Sequence, residues 1–379
     1  MSVHLISAQE AMAKFKQFDA ILDARSEGEH ALDHLPHAQS WPSLNNEERI
    51  RVGTLYKQVN AFEAQKLGAA LVAQNIARHI QDHVMDKPKN WQPLVYCWRG
   101  GKRSNALALI LGQIGFKVHL IEGGYKAFRK EVMQDTPKQA QRLNFQVLCG
   151  PTGSGKTRLL QALDQVGAQV LDLEAIACHR SSVLGLVPGT EQPSQKAFET
   201  QIWDALRHFD ADRPVYVEAE SKKVGNLTVP VELMVAMRAS PCLRVEMPLT
   251  GRVDLLLEDY AFFTHDKAMF NERLERLVPL RGKAVVQAWQ DMIERGQMRE
   301  VVTALLSGHY DPGYETSTGQ NFVHYAKAPL LCPASHHMAD MLALAHGCVP
   351  GSTETGQKAQ AAVFGDAAVA GAEESTGLS

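Results

Sequence analysis

The chain has 379 residues, 45% hydrophobic and 21% charged, enough for more than one core; this excludes a mainly disordered chain, a collagen and a small disulfide scaffold. Its 39 Lys and Arg against 42 Asp and Glu leave a net charge of −3, which excludes a histone-like mode of nucleic-acid binding. The average hides an asymmetry: residues 85–142 carry 11 basic and 4 acidic side chains, net +7, a local field suited to an anionic partner.

Short apolar runs alternating with longer helical stretches predict parallel α/β units. In chain order, Asp19 to Leu22 reads as a strand ending at Asp23, and Gln58 to Asp82 as one helix with apolar spacing through Phe62, Leu67, Leu71, Val72 and Ile76. Pro93 to Tyr96 reads as a buried strand, Ser104 to Gly115 as a helix and Lys117 to Ile121 as a strand, closing a first domain over residues 1–130. Residues 131–143 are polar, contain Pro137 and read as a linker or linker helix. A second α/β domain over 144–345 opens with the strand Asn144 to Cys149, continues with strands at Gln169 to Leu173 and Pro214 to Glu218, and ends in a helical region over 251–306. Residues 346–379 turn to Gly, Ala, Ser, Thr and Glu and predict a disordered tail. No signal peptide and no membrane span is read, so a reducing cytoplasm is expected.

Six cysteines occur, none in a CxxC pair or at zinc-ligand spacing, so disulfides, structural zinc, haem and flavin are not expected. Cys97 differs from Cys149, Cys178, Cys242, Cys332 and Cys348, which read as structural. It sits in Tyr96-Cys97-Trp98-Arg99-Gly100-Gly101-Lys102-Arg103-Ser104, between a buried strand and a helix. Such a loop converges backbone N–H groups and a helix N-terminus on one point, stabilising a thiolate and a bound anion. Cys97 and Arg103 are therefore candidate catalytic residues, with Arg99, Gly100, Gly101 and Lys102 as the anion cradle. Phosphate-ester hydrolysis and chalcogen transfer both fit this spacing. Asp23-Ala24-Arg25 and Asp33-His34-Leu35-Pro36-His37-Ala38 resemble the rhodanese signature, with Asp33 and His37 where turn glycines are usual and an active loop one residue longer than in most members.

Gly150-Pro151-Thr152-Gly153-Ser154-Gly155-Lys156-Thr157 satisfies GxxxxGK[ST] directly after a strand and before a helix. Backbone amides then cradle a diphosphate, Lys156 neutralises it and Thr157 can ligate Mg²⁺. Acidic partners are offered by Asp172 and Glu174 after one strand and by Glu218 and Glu220 after another, and His179-Arg180 follows the first pair. The loop is similar to that of tRNA dimethylallyltransferases, which hold a prenyl diphosphate.

The pairing of the Cys97 loop with GPTGSGKT, DLEAIACHRSS and VEAES resembles the tRNA 2-selenouridine synthase family from about residue 5 to about residue 345. The resemblance implies a rhodanese-like α/β domain followed by a P-loop NTPase-like parallel α/β domain with a helical C-terminal part. It implies replacement of sulfur in a wobble 2-thiouridine of tRNA by selenium from selenophosphate, and S-geranylation of the same base from geranyl diphosphate. The residues leave open whether Cys97 carries selenium or attacks the base, and whether the phosphate loop holds a prenyl diphosphate or a nucleotide. An ATP-dependent sulfurtransferase and a non-catalytic anion-sensing module are the rival readings. RNA phosphates would be met by the +7 segment; Arg273, Arg276, Arg281 and Lys283, interleaved with Glu272 and Glu275, read as a solvated helix face. No apolar pocket for a prenyl chain and no oligomeric state can be read.

Overall fold

A computed structural model describes residues 3–180, 185 and 189–349. Of the tail predicted over 346–379, His346 to Cys348 instead close a helix over Met338–Cys348, whose Met341, Leu344 and Ala345 are buried, and residues beyond Val349 lie outside the described residues. The chain forms two compact units, residues 1–139 with 193–207, and residues 140–192 with 208–379.

The first unit is built on β1 (Val3–Ile6), α1 (Ala8–Ala13), β2 (Ala20–Asp23), α2 (Glu27–Leu32), β3 (Ala38–Ser40), α3 (Asn46–Gln58), α4 (Ala61–His83), β4 (Pro93–Tyr96), α5 (Lys102–Ile114), β5 (Val118–Ile121) and α6 (Gly124–Arg142). The five strands pair in parallel in the order β1-β5-β4-β2-β3. Period-two alternation divides β4 between two cores. Leu94 and Tyr96 face one with Ile6, Ile121 and Phe128, while Val95 and Cys97 face the other with Leu107 and Leu111 of α5. The reactive cysteine is thus delivered to the α5 side of the sheet.

Two expectations are refined here. The helix expected over Gln58 to Asp82 is α4, and it starts at Ala61 because Asn60 accepts from the Glu63 N–H at 2.8 Å, while Gln58 ends α3; Phe62, placed on the apolar face by its spacing, is 68% exposed. Of the two readings of residues 131–143, linker or linker helix, the helical one holds: the segment is the second half of α6. Phe128, Val132, Thr136 and Ala140 are buried at intervals of four, and the Thr136 hydroxyl donates to the Val132 carbonyl at 2.7 Å. A threonine and an alanine in that stripe conceal it from a count of large apolar residues, and the helix continues through Pro137.

The second unit contains β6 (Asn144–Cys149), α7 (Lys156–Gln165), β7 (Gln169–Leu171) and α8 (Leu173–Ile176). Helix α9 (Gln195–His208) follows, and its residues up to Arg207 fall in the first unit, where Trp203 joins the core with Phe128 and Val132. The second unit resumes with β8 (Pro214–Glu218), the hairpin β9 (Lys223–Val224) and β10 (Leu227–Thr228), α10 (Val231–Ala239) and β11 (Cys242–Val245). Its helical part runs through α11 (Leu249–Asp259), α12 (Ala261–His265), α13 (Lys267–Glu275), α14 (Val278–Arg281), α15 (Lys283–Glu294), α16 (Met298–Leu305) and α17 (Asp311–Asn321), before β12 (Leu330–Leu331) and α18 (Met338–Cys348). The sheet is parallel, in the order β12-β11-β6-β8-β7, with β6 central, so the phosphate loop emerges from the middle of the sheet as ligand loops do in such folds. Among the described residues no helix is long and apolar enough to cross a membrane.

Candidate active sites

In the first unit, Cys97 is 3% exposed. Its Sγ accepts from the Gly101 N–H at 3.2 Å and from the Ser104 hydroxyl at 3.0 Å. The sulfur is thus oriented by a backbone and a side-chain donor at once. The loop is pinned from below: the Cys97 carbonyl accepts from Tyr125 N–H at 2.8 Å and the Trp98 carbonyl from Lys126 N–H at 3.0 Å. This approach requires glycine at 124, where a Cβ would lie 2.2 Å from the Cys97 carbonyl oxygen.

Arg103 does not stand free over the thiol. It donates to Glu29 at 2.7 Å, and this contact with the nearby Arg49 outweighs burial to hold the Glu29 carboxyl below the usual carboxylate range. Arg99 and Lys102 are exposed and make no ion pair among the described residues; the cations open to an anion at this loop are these two.

The Asp23-Ala24-Arg25 motif is a buried strut. Arg25, 1% exposed, donates to both Asp23 carboxylate oxygens and to the Asp33 carbonyl at 2.6 Å. His30 and the Tyr96 hydroxyl also reach Asp23. Burial alone would raise the Asp23 pKa; the His30 and Arg25 contacts more than offset it and hold it low. Asp33, at a usual turn-glycine position, is extended and accepts from the Tyr125 hydroxyl at 2.7 Å and from Thr200 at 3.1 Å. His37, at the other, keeps the left-handed geometry of a glycine with φ +61°.

In the second unit, the phosphate loop links β6 to α7. Lys156 Nζ is folded onto the loop, donating to the Gly150 carbonyl at 2.6 Å and the Pro151 carbonyl at 3.3 Å, and the Gly150 N–H donates to the Tyr314 hydroxyl. The loop lines a cleft of about 630 Å³ that takes in Thr152, Gly153, Gly155, Lys156 and Thr157. Gly150 and Ser154 lie outside its lining; the Ser154 hydroxyl is buried without a hydrogen-bond partner.

The acidic candidates divide. Glu174, Glu218 and Glu220 converge, with one ligand oxygen from each within 4.8 Å of the others. Glu218 is 6% exposed, and its Oε1 has no hydrogen-bond partner. Burial, then repulsion from Glu174, pushes its carboxyl up to about 7. Three converging carboxylates, one of them with an unpartnered buried oxygen and set beside Thr157, are a donor set that a divalent cation fits. Asp172 instead caps α8, accepting from Ala175 N–H at 2.8 Å. Arg180 lines the cleft but is committed to the Asp259 carbonyl at 2.9 Å and to the Tyr260 ring. His179 is outside the lining, its Nδ1 buried and unpartnered. Beside the phosphate loop the cleft adjoins an apolar pocket of about 60 Å³, with Thr152, Leu256, Tyr260 and Tyr310 common to both and Phe263, Phe270 and Val302 further in. Of the second basic cluster, Arg281 is taken up by His309.

Residues 7–131 match the rhodanese-like domain, and residues 143–292 match the domain described as the tRNA 2-selenouridine synthase AAA domain. The tRNA 2-selenouridine synthase of Nitrosomonas europaea is 36% identical over 266 residues, 68% of this chain and 68% of its own. That of Sulfurovum sp. is 30% identical over 332 residues, covering 79% and 89%, and that of Alcanivorax borkumensis 33% over 324, covering 78% and 88%. The chain belongs to the tRNA 2-selenouridine synthase family.

Both loops fall inside the matched segments of this tRNA 2-selenouridine synthase family member, Cys97 in the first and Lys156 in the second. Four residues at its sites were not read from sequence. Ser104 follows the glycine loop directly and a hydroxyl there could have been suspected as a thiolate donor. Glu29 and Tyr125 are distant in sequence from the cysteine loop, and the fold brings the first to Arg103 and the second to the Cys97 carbonyl. Tyr314 carries no local signal at all. Of the cysteines read as structural, Cys149 and Cys242 are buried, whereas Cys178 and Cys332 are exposed.

Proposed function

We propose that this chain replaces the sulfur of a wobble 2-thiouridine in tRNA by selenium from selenophosphate, through an S-geranyl intermediate made from geranyl diphosphate. The observation that carries the prenyl step is the junction in the second unit: a phosphate loop whose cleft adjoins an apolar pocket at Thr152, Leu256, Tyr260 and Tyr310. A diphosphate at the loop leaves its hydrocarbon tail to run along Leu256 and Tyr260, its end entering the pocket; burial of each CH₂ contributes ~0.8 kcal/mol.

In the first step the thione sulfur attacks C1 of the allylic chain, the C1–O bond breaks and pyrophosphate departs. Lys156 leaves the loop carbonyls for the phosphate oxygens, and the loop amides stabilise the charge that develops on them. Glu174, Glu218 and Glu220 with Thr157 would hold a divalent cation, which supplies further charge to a diphosphate leaving group. Alkylation makes C2 of the base electrophilic, so selenium adds there and geranylthiolate leaves. At the other loop, Gly101 N–H and the Ser104 hydroxyl orient the Cys97 sulfur for attack on the phosphorus of selenophosphate. The S–P bond forms, the P–Se bond breaks, and hydrogenselenide leaves as the nucleophile that adds to C2; water then hydrolyses the cysteinyl phosphate to phosphate, and Arg99 and Lys102 meet the phosphate oxygens.

The test is mass spectrometry of nucleosides from thiolated tRNA incubated with the protein, selenophosphate and geranyl diphosphate, each omitted in turn. Selenouridine is expected only with both donors, and geranylthiouridine accumulates without selenophosphate. Selenium incorporation without the prenyl donor removes the intermediate; ATP hydrolysis with no prenyl diphosphate binding removes the reading of the second unit.

A further inference from the structure

Trp98, next to the reactive thiol, is 36% exposed. Its indole stacks on Tyr125 with centroids 5.4 Å apart and planes 28° from parallel. Tyr125 is itself fixed: its hydroxyl donates to Asp33, and the Arg25 guanidinium lies 4.0 Å from its ring centroid. Since the Cys97 and Trp98 carbonyls are tied to the start of α6, the indole is held in a set orientation to the sulfur. The fringe is positive. Lys196 Nζ lies over the indole ring, 5.9 Å from its centroid, the position a base would take from it, and Lys196, Arg99 and Lys102 are exposed with no ion pair among the described residues. A rigid indole adjacent in sequence to the nucleophile, with a lysine on its ring that a base can displace and further cations free of ion pairs in the same loop, is the kind of surface on which single-stranded RNA is held: bases stack and phosphates meet lysine and arginine.

We propose that Trp98 is the stacking platform for the nucleobase whose C2 substituent is exchanged, with Lys196 and Arg99 taking the flanking phosphates. The inference rests on the tRNA reading above and adds the surface that presents the base to Cys97. An unstacked uridine-type base laid on the indole is immobilised at the cysteine loop without any base-specific hydrogen bond, so the platform accepts the thio, alkylthio and seleno forms of one base in turn.

The test is a double-mutant cycle with the full chain. Equilibrium binding is measured for an anticodon stem-loop RNA bearing 2-thiouridine at the wobble position and for the same RNA abasic there, with wild type and Trp98→Ala. Each single change is expected to weaken binding by about 5- to 150-fold, and the two together by no more than either alone; Trp98→Phe keeps most of the affinity. If Trp98→Ala does not fold, Trp98→Leu, which keeps an apolar contact with Tyr125 but has no π-face, replaces it. Additive penalties, with wild type still modifying the RNA, overturn the platform alone. Wild type that neither binds nor modifies the thiolated RNA overturns the tRNA reading and the platform together.

Discussion

Arg103 and Glu29 form an ion pair at 2.7 Å, with side chains 20% and 15% exposed. The arginine that loop spacing assigns to substrate oxyanions is therefore held at the edge of the cysteine loop, where it fixes α5 to α2. Glu29→Gln is expected to destabilise the protein by about 1–2 kcal/mol, between the values for exposed and buried pairs. Chemical denaturation reads this directly. A loss confined to activity, with stability unchanged, would return Arg103 to the substrate.

The two depressed carboxyls predict the acid limb of stability. Asp23 and Glu29 have folded pKa values below their unfolded ones, so their contribution is complete above the ordinary carboxylate range and is lost as pH falls through the folded values. Urea midpoints from pH 6 down to pH 3 should decline, and Glu29→Gln should show a shallower decline than wild type.

Ser104 gives one of two hydrogen bonds to Cys97 Sγ. A hydrogen bond to a charged partner contributes ~1.5–3 kcal/mol, so Ser104→Ala should slow iodoacetamide alkylation of Cys97 and selenium transfer by about ten-fold or more. Cys97→Ser should abolish transfer while leaving the melting temperature near that of wild type.

Glu218 is buried against two other carboxylates with one oxygen unpartnered. Mg²⁺ or Mn²⁺ should raise the melting temperature of wild type in proportion to occupancy. Glu218→Gln, which removes the repulsion, should melt higher than wild type in metal-free buffer and gain little on adding metal. An equal metal response from both proteins would show that these carboxylates hold none.

Trp203 fills the core of the first unit from outside its continuous segment. Trp203→Ala should cost about 3–5 kcal/mol, and a fragment ending at residue 139 should bind a dye for exposed apolar surface where the whole chain does not.

Strands and their order of use were legible from sequence because parallel buried strands are short apolar runs; Pro93 to Tyr96 and Pro214 to Glu218 fall on the observed strands. The two loops were legible because each crowds its chemistry into eight residues: glycines, a thiol and three cations from Cys97 to Ser104, and glycines with one lysine and a threonine from Gly150 to Thr157. What the tertiary fold adds was not legible. Glu29 reaches Arg103 across 74 residues and Tyr314 reaches Gly150 across 164, and no local pattern encodes such pairs. Asp172 and Glu174 read alike in sequence; the shortening of β7 to Leu171 makes the first a helix cap and leaves the second in the cleft.

The placement of α9 has a consequence for biosynthesis. On the ribosome, the first unit lacks Trp203 until the chain has grown roughly 70 residues past its Gln139 boundary, a delay of ~3–14 s at ordinary elongation rates. By then the phosphate loop and its helix have been made. The half-finished rhodanese-like sheet must wait with an apolar face uncovered, so the two units mature interleaved and not one after the other.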